Sequence, residues 1–184
     1  MSNFTKPYKM ESRLVQSFDP IIDAQCRVLI LGTIPSPKSR EVHMNYGNPR
    51  NRFWPVMARL FDEPIPTSND EKITLMLRHH IALWDVLKSC DIVGARDASI
   101  ANPVPNDISR VLSMAPIHTV FCTGSTAARL YKKLCESSCG LSAITLPSTS
   151  PANARWSLDE LVKAYKPVKQ AALSTSALVG VHRG

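Results

Sequence analysis

An α/β fold, a three-layer sandwich with a central four-stranded, mostly parallel sheet, is predicted by three features of this 184-residue sequence. Four short apolar runs recur along the chain, each ended by a turn or polar residue. Segments with helical spacing or capping signals separate them, and strands that alternate with helices form a parallel sheet covered on both faces. No repeat and no long linker divides the chain, and its 44% hydrophobic content suits one core, so a single domain over residues 1–184 is expected.

The first strand is Arg27-Val28-Leu29-Ile30-Leu31, a β-branched run ended by Gly32. A long loop rich in Pro and Asn is expected from Thr33 to Arg50. Phe53, Trp54, Met57, Leu60 and Phe61 then recur at helical spacing, with Pro55 tolerated in the first turn. Ser68 and Glu71 have capping-box spacing and open a helix through Leu77. Ile81-Ala82-Leu83-Trp84 is the second strand, ending at Asp85. Asn106 is taken as the N-cap of a helix from Asp107 to Ser113. His118 to Cys122 is the third strand, and Thr123-Gly124-Ser125 turns it into a helix through Leu134. Ile144-Thr145-Leu146 is the fourth strand, closed by Pro147. Ser157 and Glu160 form a second capping box before a last helix that Pro167 breaks or kinks. The tail from residue 174 to 184 has no strong pattern and is expected to be mobile.

The formal charge of +7 favours a polyanionic partner, because Lys and Arg release condensed counterions from phosphates. Met1 to Lys9 lacks an apolar leader core, and no apolar run approaches membrane-spanning length; a soluble intracellular protein is expected, cytoplasmic if the source is bacterial or archaeal. The five cysteines, Cys26, Cys90, Cys122, Cys135 and Cys139, read as free thiols. Cys135 and Cys139 lie one helical turn apart, but no second Cys/His pair completes a four-ligand site, so no metal is expected.

Ligands of open α/β sheets bind beyond the carboxyl ends of the strands. That rule directs attention to the loops after Leu31 and Leu146, the two longest polar ones. The first runs from Gly32-Thr33-Ile34-Pro35-Ser36-Pro37 to Asn45-Tyr46-Gly47-Asn48-Pro49-Arg50-Asn51-Arg52. It lacks the glycine spacing of a dinucleotide fingerprint or a P-loop. Its aromatic, amides and arginines suit stacking a planar base and holding a phosphate, or equally a helix entrance with Asn51 as N-cap. The second, Pro147-Ser148-Thr149-Ser150-Pro151-Ala152-Asn153, is a stiff projection of hydroxyls between prolines, or simply a rigid turn before a capped helix.

Taken together, these loops resemble the two signature motifs of the uracil-DNA glycosylase superfamily. The similarity is strongest to its hypoxanthine (deoxyinosine)-DNA glycosylase branch, relatives of the mismatch-specific uracil and thymine glycosylases. It rests on Val28 to Gly32, Asn48 to Trp54 and Leu146 to Asn153, and continues through Ala82 to Leu87 and Pro105 to Asp107. The resemblance implies a monofunctional hydrolase that flips a deaminated base, uracil and/or hypoxanthine, out of DNA and cleaves its N-glycosidic bond in base excision repair. It implies no cofactor, and a monomer acting on damaged DNA.

Within that resemblance, Ile34 stands where many superfamily members hold water with Asn or Asp, and the water-orienting amide is Asn51 instead. Tyr46 matches the aromatic that stacks on the flipped base. Main-chain N–H groups around Thr33 and Ile34 would donate to a base oxygen, and Gly32 and Pro35 would contact the base beside them. Asp85 would accept a ring N–H of the base, or else cap local backbone beneath the pocket. Ser148, Thr149, Ser150, Pro151, Ala152 and Asn153 would enter the duplex, and Lys38, Arg40, Arg50, Arg52 and Arg155 are the nearest candidates for phosphate contacts. Apart from Lys38 no lysine lies in either loop, so no lyase step is expected. Two positions depart from the branch: Asn48 replaces a usual His, and Ser36 a usual Gly. A non-catalytic nucleic-acid-binding module and a nucleoside or nucleotide hydrolase are the rival readings.

Overall fold

The computed structural model describes residues 11–175. The tail expected to be mobile lies, from residue 176 on, outside the described residues.

Four parallel strands form the central sheet in the order β3-β2-β6-β7: β2 (Val28–Gly32), β3 (Ile81–Asp85), β6 (Thr119–Thr123) and β7 (Ala143–Leu146). Each matches an expected run to within a residue at either end. β2 is central and buried throughout, so both faces of the strand are apolar and simple alternation is absent. Val28 and Ile30 face one core with Phe121, while Leu29 and Leu31 face the other with Val120 and Cys122.

The first core is covered by α2 (Phe53–Leu60), α3 (Asn69–Arg78), α7 (Leu158–Ala164) and α8 (Lys166–Leu173). Both expected capping boxes form, with Ser68 and Ser157 accepting from the N–H of Glu71 and Glu160. The last helical stretch is broken at Tyr165, one residue before α8 opens with Pro167 in its first turn. The second core is covered by α4 (Ile108–Met114), α5 (Ser125–Leu134) and a second sheet that the sequence pattern did not disclose. This antiparallel sheet has the order β1-β4-β5, from β1 (Arg13–Gln16), β4 (Leu87–Ile92) and β5 (Ala101–Pro105). A four-residue helix, α6 (Glu136–Cys139), follows α5.

Two local expectations are corrected. The Thr33–Arg50 segment is no continuous loop: Ser36 caps a short helix, α1 (Pro37–Val42), by accepting from Ser39 N–H. The N-cap of α4 is Asp107, not Asn106; Asp107 Oδ1 accepts from Arg110 N–H at 3.0 Å. Asn106 turns inward instead, donating to the Asp85 main-chain carbonyl at 2.8 Å and to Ser17 Oγ at 3.1 Å. All five cysteines are free, four of them buried.

Candidate active site

Strands β2, β3 and β6 end on Gly32, Asp85 and Thr123, and all three line a cavity of about 460 Å³. Its other walls come from the first loop (Thr33 to Ser36, Asn45, Tyr46, Asn51), from the second (Ser148 to Ser150, Ala152, Asn153) and from Ile92 at the end of β4 with Gly94, Ala95 and Asp97 beyond it.

Gly32 faces Asp85 across the β2–β3 register. A Cβ on Gly32 would lie 2.7 Å from Asp85 Oδ1 and 3.1 Å from the Tyr46 hydroxyl, so only glycine lets the two side chains meet there. Asp85 is 3% exposed and its Oδ2 accepts from Asn45 Nδ2 at 2.8 Å. Burial pushes its carboxyl up from 3.8 to about 7, and the Asn45 bond pulls the other way. The carboxyl therefore changes charge near neutrality.

Tyr46 has a left-handed backbone (φ 56°), unusual for an aromatic residue. Its ring stacks on Phe53 with centroids 3.9 Å apart, and its hydroxyl lies 2.7 Å from Thr123 Oγ1. Burial holds the phenol well above its ordinary value, so it stays neutral. Asn51 lies one residue before the N-cap of α2, which is Arg52; its Oδ1 nevertheless accepts from Phe53 N–H at 2.9 Å. That bond pins the carboxamide at the cavity wall, and its Nδ2 has no partner among the described residues. The N–H groups of Thr33 and Ile34 are likewise without a protein acceptor among the described residues.

The cationic side chains divide. Arg52 does not reach outward: its guanidinium donates to the carbonyls of Ser150 and Asn153, both at 3.0 Å, and to that of Trp156. Its N–H donates to Thr149 O at 3.1 Å, so Arg52 welds the two loops into one unit. Arg40 donates to Pro35 O, and Lys38 pairs with Glu41. Arg50 and Arg155 are exposed; Arg155 flanks a second depression beside Gly124, Ser125 and Trp156. Pro151 alone of the residues 148–153 stays off the cavity wall.

The two departures have local explanations. Ser36 serves as the α1 cap, and Asn48 Oδ1 accepts from Arg50 N–H at 2.9 Å in an Asx turn. Asn45, Thr123 and the Ile92–Asp97 segment were not assigned roles from sequence. Only a buried partner for Asp85 could have singled out Asn45, and that partner is 40 positions away.

A family model of the uracil DNA glycosylase superfamily matches residues 20–172. The chain belongs to the uracil DNA glycosylase superfamily. It is 34% identical over 143 residues, 77% of this chain and 90% of the relative, to a protein of Methanosarcina acetivorans named hypoxanthine DNA glycosylase. A Methanosarcina barkeri protein of the same name is 34% identical over 102 residues, 55% of this chain and 65% of the relative. A solution NMR structure from Methanosarcina acetivorans, described provisionally as a uracil DNA glycosylase, superposes with TM-score 0.72 at 28% identity. That match covers 85% of this chain and 99% of the other. The expected fold is the observed one, and as a DNA glycosylase the chain is a hydrolase of N-glycosyl bonds. Among the described residues no helix is long and apolar enough to cross a membrane, and no cluster of His, Cys, Asp and Glu could hold a metal ion.

Proposed function

We propose that this glycosylase takes a deaminated base, hypoxanthine or uracil, out of the DNA stack into the cavity at the strand ends and hydrolyses its N-glycosidic bond in base excision repair. The observation that carries the reading is the meeting of Asn51 and Asp85 in one cavity, each pinned by a defined hydrogen bond. The curated relatives, named for hypoxanthine, favour that base.

Bond cleavage places positive charge on the sugar and negative charge on the departing base. Asn51 orients the attacking water: its oxygen keeps a second lone pair after accepting from Phe53, and the fixed amide limits where a water can sit. An amide is too weak a base to abstract a proton early, so its contribution is geometric. The free N–H groups of Thr33 and Ile34 supply donors for a base oxygen on which charge develops. Asp85, when ionised, accepts the lactam N–H that hypoxanthine and uracil share. Tyr46, held by Phe53 and Thr123, offers a neutral aromatic surface for the base. The 148–153 loop occupies the space the base leaves, and Arg50 and Arg155 meet phosphates.

The test is base release from end-labelled oligonucleotides carrying deoxyinosine or uracil, with and without EDTA. Wild type is expected to leave alkali-labile sites in the deoxyinosine strand whether or not EDTA is present. Asn51→Ala is expected to lose about 10²-fold or more of kcat. Binding without any base release by the wild-type protein defeats the proposal.

A further inference from the structure

Asp85 has two oxygens with different surroundings. Oδ2 receives the Asn45 Nδ2 proton at 2.8 Å, and Oδ1 lies on the Gly32 side, where a Cβ would meet it at 2.7 Å. Asn45 is itself immobilised: it is 4% exposed and its carbonyl accepts from Trp54 Nε1 at 3.1 Å, on the first buried turn of α2. Asn106 fixes the backbone of Asp85 from the opposite side by donating to its carbonyl. One carboxyl oxygen is therefore tied to Asn45, and the other is left on the Gly32 side.

We infer that Asn45 is a positioning residue for base selection: by occupying Asp85 Oδ2 it presents Oδ1 to the cavity as an ionised acceptor. This rests on the functional reading above. An acceptor at that point admits a base with a ring N–H, such as hypoxanthine at N1 or uracil at N3. It opposes one with a ring-nitrogen lone pair there, such as adenine or cytosine. A protonated Oδ1 reverses the preference, because the O–H becomes a donor. Asn45 counters this by stabilising the charged form against burial.

The groups facing this carboxyl are Asn45 from the first loop, Gly32 from β2 and the Tyr46 phenol, which stays neutral. Among the described residues no charged side chain contributes to the shift; burial and Asn45 are its causes. The one hydrogen bond thus sets the pH at which the acceptor is available.

The pH dependence of kcat/KM for hypoxanthine release tests this in wild type, Asn45→Ala and Asn45→Leu. The second variant keeps the size of the side chain, and with it the packing beside Trp54, should the alanine protein not fold. Wild type should lose activity as pH falls through about 7. In a folded variant that limb should move upward by about one pH unit or more, since one hydrogen bond to a charged group is worth about that much. Activity should recover at alkaline pH. A folded variant with equal loss at every pH and an unmoved limb overturns the inference and leaves Asn45 a packing residue. A ¹³C titration of the Asp85 carboxyl, which needs no substrate, should show the same upward move. Absence of base release by wild type would sink the functional reading, while this titration would still decide whether Asn45 controls Asp85.

Discussion

Replacing Asp85 by Asn should stabilise the protein above neutrality while impairing it as an enzyme. The carboxyl rises from 3.8 to about 7 on folding, mainly because burial disfavours its charge. Between those limits the folded protein keeps a proton that the unfolded chain has released. Stability therefore falls as pH rises through that window, and the full deficit remains above it. A gap of about 3 units, at about 1.4 kcal/mol each, bounds the penalty at about 4 kcal/mol at pH 8. Asp85→Asn carries no such penalty and can still accept from Asn45. Urea unfolding of both proteins from pH 4 to 8.5 isolates the effect. Glu63, Glu71, Asp107 and Glu160, held low by their hydrogen-bond partners, titrate in both proteins and cancel in the difference. The difference should be smallest near pH 4 and grow to a few kcal/mol in favour of Asn by pH 8. A flat difference across that range, or one that shrinks as pH rises, would refute the buried, near-neutral carboxyl and the base recognition built on it.

Three further outcomes follow from the geometry. Gly32→Ala should destabilise the fold by about 1–3 kcal/mol and displace the Asp85 carboxyl, read as a lower Tm with base release nearly abolished. Arg52→Lys keeps the charge but cannot reach three carbonyls at once; kcat should fall about tenfold or more with an unchanged salt dependence of DNA binding, whereas a phosphate contact would lower the salt slope. Arg155→Ala, by contrast, should leave kcat near wild type and reduce the slope of log K against log salt by about 1, checked by fluorescence anisotropy between low and physiological salt.

The central sheet was legible because its strands are buried on both faces. Val28 to Leu31 and Ile81 to Leu83 are unbroken apolar runs, and the segments between them carry their own caps. The antiparallel sheet was not legible, for reasons its residues make plain. β1 is Arg-Leu-Val-Gln with a single buried side chain, and β5 is Ala-Asn-Pro-Val-Pro, whose prolines argue against a strand and are tolerated because β5 is an edge. Asn106 and Asp107 are both good caps by composition. What separates them is tertiary: Asn106 N–H bonds Val86 O and its side chain is drawn inward to Asp85, which leaves the capping to Asp107.

The site divides in the same way. The two loops were visible as unusual strings of amides, hydroxyls and prolines, and twelve of the residues singled out for base, water or wedge roles do line the cavity: Gly32, Thr33, Ile34, Pro35, Tyr46, Asn51, Asp85, Ser148, Thr149, Ser150, Ala152 and Asn153. What a string cannot display is which partner each polar group takes. Arg52 looked like an arm for phosphate, yet two carbonyls of the second loop and that of Trp156 claim it. Asn45 looked like one more loop amide, yet it holds one oxygen of the Asp85 carboxyl at the cavity wall. Both assignments arise from long-range hydrogen bonds in a buried setting, where an unpaired group costs more than a paired one contributes. Fixing the loops to each other and the carboxylate to its amide serves one purpose. A reaction that relies on a positioned water and a selected base edge needs Asn51 and Asp85 held at a constant separation. Under the proposed mechanism, Arg52 and Asn45 supply that constraint from outside the pair, by fixing the loops and the carboxyl that carry it.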